Sequence, residues 1–211
     1  MLNLNSLVLS KPNLKGMSET IRQSIFAGIL IGLGAFGYLA LGGILGAIIF
    51  SFGLVGVVLT GNLLYTGKAG VLTNIWNLLV IWFFNILACG LIGLMVWYLG
   101  GDSVERAKDM IANRLAVDYG RVFVKAIGCG VIIDFSCSIY RTSGNIIPVL
   151  IGVPLFILCG FYHSIADIVY MVAAWNWTID LIWFYILIFL GNYVGCNLRR
   201  IINIITCMGT D

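Results

Sequence analysis

The chain has 211 residues, of which 61% are hydrophobic and only 10% are charged, and its formal net charge is +3 at pH 7. A soluble domain does not contain that large a share of apolar side chains, so the composition predicts an integral membrane protein. The small net charge and the lack of Lys/Arg runs argue against nucleic acid as a partner. Because the apolar stretches are long and continuous, we expect an all-α protein embedded in the lipid bilayer.

The amino-terminal segment, residues 1–23, is polar enough to stay outside the bilayer, since it contains Lys11, Lys15 and Arg22. It lacks the short apolar region and small-residue cleavage site of a signal peptide. We expect a short amphipathic helix near Ser18–Gln23 that leads into the first membrane span.

Six apolar blocks follow, and a membrane-spanning helix needs ~20 residues at ~1.5 Å per residue. The blocks lie at about 24–49, 50–73, 76–99, 121–140, 146–174 and 179–198. The sequence therefore predicts a six-span domain over residues 24–198, followed by a tail over 199–211. The segment 100–120 between the third and fourth blocks has nearly balanced charges. We expect a solvated connector there, with a surface helix over 103–116 as the alternative.

Two of the six blocks are interrupted by polar or helix-breaking residues. The second contains Thr60-Gly61-Asn62, and the fifth contains Pro148, Pro154 and the polar stretch 160–167. Interrupted segments at corresponding places in two halves indicate a transport site. The sequence thus predicts two inverted three-helix repeats, at about 24–99 and 121–198, in which the second and fifth helices are broken, an aquaporin-like architecture.

A weak internal echo supports the two repeats. The third block contains Asn85-Ile-Leu-Ala-Cys89, and the sixth contains Asn192-Tyr-Val-Gly-Cys196. Because each repeat has an odd number of spans, the second repeat would be inverted in the membrane.

His163 is the only histidine of the chain, and it lies within the fifth block beside Tyr162, Ser164 and Asp167. An ionisable side chain inside a membrane segment is costly unless it is paired or functional. A metal site on His163 and Asp167 would have two ligands without a third, so we expect no metal and no cofactor.

Positive charges predict the orientation of the chain. Besides the amino-terminal segment, they cluster at Lys68, Arg141, Arg199 and Arg200, which would all lie on one face of the membrane. In the loop 100–120 on the opposite face, acidic and basic residues nearly cancel. We therefore expect a multi-pass protein of the cell inner membrane with both termini in the cytoplasm.

Three motifs in this sequence carry a family resemblance. Residues 160–167, Gly-Phe-Tyr-His-Ser-Ile-Ala-Asp, look like the G-F-E-H-S-x-A-N signature of the formate/nitrite transporter family. Residues 63–67 resemble its first broken-helix loop, and residues 191–195 resemble its G-N-x-x-G stretch. The resemblance implies a homopentamer in which each subunit has its own pore. The implied cargo is a small monovalent anion such as formate, nitrite or hydrosulfide, or the conjugate weak acid. Channel conduction and proton-coupled transport are both open.

The resemblance also implies roles for individual residues. It places His163 at the middle of the pore facing Thr66. The other residues implied to line the substrate path are Asn62, Asp134 and Asp167. One apolar constriction would comprise Phe50, Leu54 and Phe156, and a second would comprise Leu64 and Tyr65. Asn85 and Asn192 would support the broken loops, because unwound backbone needs hydrogen-bond partners in a membrane.

Four positions depart from the family pattern. Tyr162 replaces a glutamate, Asp167 replaces an asparagine, Asp134 falls where an asparagine is usual, and Leu63 replaces an acidic residue. The two additional carboxyl groups suggest a pore for a small neutral solute as an alternative. A membrane-embedded enzyme that uses His163 and Asp167 is a second alternative, although one histidine without another convergent polar cluster favours a protein that is not an enzyme. For His163 itself, proton relay and fixed hydrogen-bond donor remain open.

Overall fold

A computed structural model describes residues 14–71 and 74–208 of the chain. All the regular structure among these residues is helical. In chain order the helices are α1 (Leu14–Leu41), α2 (Gly43–Thr60), α3 (Tyr65–Lys68), α4 (Ile75–Leu99), α5 (Asp102–Leu115), α6 (Tyr119–Ser143), α7 (Ile147–Leu158), α8 (Ala166–Ala174) and α9 (Ile179–Met208).

Five of the described helices, α1, α2, α4, α6 and α9, are long and apolar enough to cross a membrane. Helix α7 is apolar but has only 12 residues, about 18 Å at 1.5 Å per residue, so it is too short to cross alone. The fifth apolar block is thus divided between α7 and α8, and residues 159–165 between them include non-helical backbone.

The first helix boundary differs from the prediction. The sequence placed it near residues 49 and 50, but α1 ends at Leu41 and α2 begins at Gly43. Gly42 and Gly43 have φ angles of 65° and 53°, a region that glycine enters without steric cost, so these two residues make the turn. Hydropathy could not show this boundary because the residues on both sides are apolar.

The ends of the chain also differ in detail. The expected lead-in helix at Ser18–Gln23 is not separate, since it is the first part of the continuous helix α1. Helix α9 continues beyond residue 198 to Met208, so no structural break separates the sixth block from most of the predicted tail. The remainder of the two terminal segments, 1–13 and 209–211, lies outside the described residues.

The segment between the third and fourth blocks is a packed helix, so the expectation of a solvated connector is wrong. Val104, Ala107 and Ile111 recur on one face of α5 and are buried. This apolar spacing lets α5 pack on α1 and α8. Arg106 fastens it further, because Nη1 donates hydrogen bonds to the carbonyl oxygens of Leu39 and Ala40 at 2.8 and 2.6 Å, at the carboxyl end of α1.

Each half of the chain contains a pair of long helices in close contact. Helix α1 packs on α4, and α6 packs on α9. Close approach depends on glycine: a Cβ atom on Gly28 would lie 2.6 Å from the Asn85 carbonyl oxygen, and one on Gly130 would lie 2.5 Å from that of Asn192. Small residues allow such contacts between membrane helices. These two pairs frame the segments that carry the polar residues.

Candidate functional site

His163 lies in the non-helical segment between α7 and α8 and is 2% exposed. Its Nδ1 accepts hydrogen bonds from the backbone N–H groups of Ile165 and Ala166, both at 3.2 Å. An imidazole nitrogen that accepts N–H groups carries no proton, so the hydrogen of the neutral ring is assigned to Nε2. Nε2 lies 3.1 Å from Thr66 Oγ1, to which it can donate. The ring is therefore held as a neutral donor.

Two asparagines, Asn192 on α9 and Asn85 on α4, hold the two chain segments that meet at the His163–Thr66 pair. Asn192 on α9 accepts from the N–H of Ser164 at 2.8 Å and donates to the carbonyl oxygens of Tyr162 and Ala126 at 2.9 and 2.8 Å. These bonds grip the backbone on both sides of His163. The Ser164 N–H and the Tyr162 carbonyl oxygen lie outside any helix, so Asn192 supplies the hydrogen-bond partners that a helix would otherwise provide.

Asn85 on α4 makes the corresponding contacts with the segment before Thr66. It accepts from the N–H of Tyr65 at 2.8 Å and donates to the carbonyl oxygens of Ser24 and Leu63 at 2.7 and 2.9 Å. The two asparagines thus use the same atoms in the same way. Both are 0% exposed.

Two cavities lie on opposite sides of His163. We call the end of the molecule where α4 ends and α5 lies the upper end. The upper vestibule, about 270 Å³, is lined by residues that include Asn113, Arg114, Lys125, Tyr162, His163 and Asp167. The lower vestibule, about 100 Å³, is lined by residues that include Asn62, Leu64, Lys68, Cys137, Tyr140 and Arg141.

A narrow apolar gap lies beside His163. It is lined by Ile31, Phe50, Leu54, Ile133, Val153 and Phe156 together with the imidazole ring. The Phe156 ring stacks on His163 with centroids 5.8 Å apart, and Phe50 meets Phe156 edge to face at 6.0 Å. Since Phe50 and Phe156 also line the upper vestibule, they separate that cavity from the gap.

The upper vestibule contains a buried ion pair. Arg114 Nη1 lies 2.7 Å from Asp167 Oδ1, and the two side chains are 14% and 2% exposed. The guanidinium also lies over the rings of Tyr162 and Tyr170, 4.9 and 5.2 Å from their centroids. Burial lowers the pKa of Arg114, but the Asp167 carboxylate outweighs this effect and raises it, so the guanidinium stays charged.

Sequence reasoning missed Arg114. It is one of several charged residues in the segment 100–120, whose nearly balanced charges predict a solvated connector. The apolar spacing of Val104, Ala107 and Ile111 could have predicted a packed helix, on which Arg114 follows Ile111 by three positions and so shares the buried side.

Asp134 belongs to the lower side of the molecule, apart from His163. Its carboxylate oxygens lie 3.9 Å from Arg141 and 3.7 Å from Arg199. Arg141 also donates to the carbonyl oxygen of Gly67 at 2.9 Å, and the Cys196 thiol donates to that of Thr66 at 3.1 Å. Helices α6 and α9 thereby hold the short helix α3.

The predicted site residues therefore fall into separate groups. His163, Thr66, Phe50, Leu54 and Phe156 come together at the centre, with Asp167 in the adjoining upper vestibule. Asn62 and Leu64 line the lower vestibule.

Tyr65, which the resemblance implies to be part of the second constriction, is fully buried. Its ring stacks on Phe189 at 5.0 Å, and it lines neither vestibule nor the gap. Among residues 14–71 and 74–208, no group of three His, Cys, Asp or Glu side chains could hold a metal ion.

Comparison with known proteins gives consistent results. The model of the formate/nitrite transporter family matches residues 8–200. The chain is 26% identical over 177 residues to a formate channel of Bacillus thuringiensis, a match that covers 72% of this chain and 68% of that protein. Its fold is similar to a solved pentameric formate channel with formate bound (TM-score 0.77, 17% identity, 93% of this chain and 99% of that chain). It is equally similar to an FNT family ion channel (TM-score 0.77, 18% identity, 92% of each chain).

Proposed function

The chain belongs to the formate/nitrite transporter family, and we propose that it forms a membrane channel for small monovalent anions of the formate, nitrite or hydrosulfide class, or for their weak acids, with His163 at the centre of the pore. The observation that carries this proposal is the buried His163–Thr66 pair between two vestibules. The path would run from the upper vestibule past Phe50 and Phe156 to the lower vestibule.

The chemistry of the centre suits an anion or its acid. Moving a bare anion through hydrocarbon is costly, so a pore must replace its water with hydrogen-bond donors. Nε2 of His163 has a single hydrogen, and when it donates to Thr66 Oγ1, the Thr66 hydroxyl keeps its own hydrogen as a donor for the cargo. Because Nδ1 is engaged by two backbone N–H groups, protonation there would break both bonds. This geometry favours a fixed donor over a proton relay.

We further propose six crossings arranged as two inverted repeats over about 24–99 and 121–198. In addition to the five long helices, the fifth crossing in chain order would consist of α7, the segment 159–165 and α8. Two contacts at opposite ends of the molecule support this crossing. Ser136, near the lower end of α6, donates to the carbonyl oxygen of Pro148, and Trp175, after α8, stacks on Trp97 near the upper end of α4. The matching contacts of Asn85 and Asn192 support the repeat.

The assembly would be a homopentamer in the cell inner membrane, with a separate pore in each subunit. The similarity of the fold to a pentameric formate channel supports the assembly. Both termini would lie in the cytoplasm, so that the lower vestibule, with Lys68 and Arg141, faces the cytoplasm.

The two alternatives have less support. The case for a neutral solute depended on carboxylates near the path, but Asp167 is paired with Arg114, and Asp134 lies near Arg141 and Arg199. The case for an enzyme depended on His163 and Asp167, but Asp167 is held by the guanidinium, and Nδ1 of His163 is engaged with backbone.

A flux assay tests the proposed function. Purified protein is reconstituted into liposomes, and uptake of formate, nitrite and the neutral solutes urea and glycerol is followed by stopped-flow light scattering. We expect rapid uptake of the two anions and no uptake of the neutral solutes above the rate of protein-free liposomes. Uptake of urea or glycerol without formate or nitrite would refute the anion channel.

A further inference from the structure

The Arg114–Asp167 pair lies in the upper vestibule, through which the proposed path runs. Both side chains line the upper vestibule together with His163. Asp167 lies in the first turn of α8, and its N–H donates to the carbonyl oxygen of His163 at 2.9 Å. The pair is therefore directly joined to the segment that carries the central histidine.

The guanidinium retains capacity to bind a second anion. Arginine has five N–H donors, whereas the contact with Asp167 is made by Nη1. The guanidinium also lies over the faces of Tyr162 and Tyr170, and these ring contacts use none of its N–H groups in a hydrogen bond to oxygen. In the described part of the chain, Arg114 Nη1 and Asp167 Oδ2 are both buried without a hydrogen bond, so the 2.7 Å contact is an ion pair that leaves hydrogen-bonding capacity on both partners.

The charged residues of the upper vestibule determine how tightly it holds an anion. Its charged lining residues are Arg114, Lys125 and Asp167, so the carboxylate cancels one of two positive charges. Conduction requires an anion to be attracted enough to enter and held weakly enough to leave. Two uncompensated cations in a partly dry cavity would hold an anion tightly, whereas a lone carboxylate beside His163 would repel it.

We propose that Arg114 binds the entering anion in the upper vestibule and that Asp167 is a built-in competitor for the guanidinium, which limits how tightly the anion is held. The anion would displace the carboxylate partly on arrival, and the carboxylate would return as the anion moves toward His163. Tyr162 and Tyr170 keep the guanidinium in place during this exchange. The inference rests on the proposed anion transport and assigns a specificity-determining pair to it.

Charge-neutralising variants test the pair. Initial rates of formate uptake into proteoliposomes are measured against formate concentration for the wild type, Asp167→Asn, Arg114→Gln and the double variant. In Asp167→Asn, which keeps the side-chain shape, the half-saturating concentration should fall about tenfold because one charge at close range is removed, and the maximal rate should fall as well. Arg114→Gln should raise the half-saturating concentration about tenfold, and the double variant should return toward the wild-type value.

Glu105→Gln is the matched control. It removes a carboxylate, as Asp167→Asn does, but from α5, the helix that carries Arg114, where Glu105 is exposed and pairs with Lys108 at the surface and solvent screens it. Its half-saturating concentration should equal that of the wild type. If Arg114→Gln does not fold, Arg114→Lys replaces it and should raise the half-saturating concentration, because the ammonium lacks the planar fork of donors.

The results separate this inference from the proposed function. If the wild type carries neither formate nor nitrite, the proposed function fails. If the wild type carries formate and the half-saturating concentration of Asp167→Asn is unchanged or higher, only the competitor role is refuted. A merely structural pair would lower the rates of both single variants without tightening formate binding in Asp167→Asn.

Discussion

Asn192→Ala should destabilise the protein and abolish transport together, because one side chain holds the backbone on both sides of His163. The substitution removes the acceptor of the Ser164 N–H and the donor to the Tyr162 carbonyl oxygen. Both groups are buried and outside any helix, so no other described group replaces Asn192. The third partner, the carbonyl oxygen of Ala126, lies within α6 and keeps its helical bond.

The magnitude follows from the two orphaned groups. A buried backbone group without a partner costs about 1–3 kcal/mol, so the two together cost about 2–6 kcal/mol. For a chain of this length, 1 kcal/mol corresponds to about 2–4 °C in Tm, so Tm should fall by at least about 4 °C. Transport should be lost even at a temperature where the variant is folded, since the donor atom Nε2 loses its fixed position relative to Thr66.

The assay combines thermal unfolding in detergent with formate flux in proteoliposomes at a temperature where the variants are folded. Asn85→Ala should show a similar fall in Tm, because it removes the same set of contacts from the other segment. Asn77→Ala, a partly exposed asparagine on the same helix as Asn85, is the control and should change Tm by about 1 °C or less. A folded Asn192→Ala variant with wild-type Tm and wild-type flux would refute the reasoning.

Four further predictions concern the pore, its surroundings and the assembly. His163→Asn should keep part of the flux and the wild-type pH profile between pH 5 and 8, because the amide oxygen can accept from the backbone N–H groups in place of Nδ1 and the amide NH₂ is a donor that does not titrate. His163→Phe should lose the flux. A loss of pH dependence in His163→Asn would instead favour proton relay. Phe156→Ala should raise acetate flux relative to formate flux in the liposome assay, because it removes a ring from the apolar gap; unchanged selectivity in the folded variant would remove Phe156 from the constriction. Arg106→Ala should lower Tm by a few degrees, since two hydrogen bonds to the end of α1 are lost. Native mass spectrometry of the wild type in mild detergent should give the mass of five chains, and a monomer mass would contradict the pentamer.

The membrane class, the helical fold and the family could all be inferred from local features of the sequence. Hydropathy depends on composition over about 20 residues, so it identified the apolar blocks. The motif at 160–167 singled out His163, and the echo between Asn85 and Asn192 pointed to two residues that turn out to make the same contacts. The boundary between the first two helices was harder to predict, because Gly42 and Gly43 turn the chain within a continuous apolar stretch.

Only the tertiary structure decided which charges meet. Asp167 and Asp134 read alike in the sequence, as unexpected carboxylates in apolar segments. In the fold, Asp167 pairs with Arg114 on α5, and Asp134 lies near Arg141 and Arg199 at the other end of the molecule. Likewise, Tyr65 and Leu64 are neighbours in sequence, yet one packs on Phe189 and the other lines the lower vestibule. Local pattern determines whether a segment enters the bilayer, because that transfer depends on the segment's own side chains, whereas the partner of a buried charge depends on helices that are distant in sequence and adjacent only in the fold.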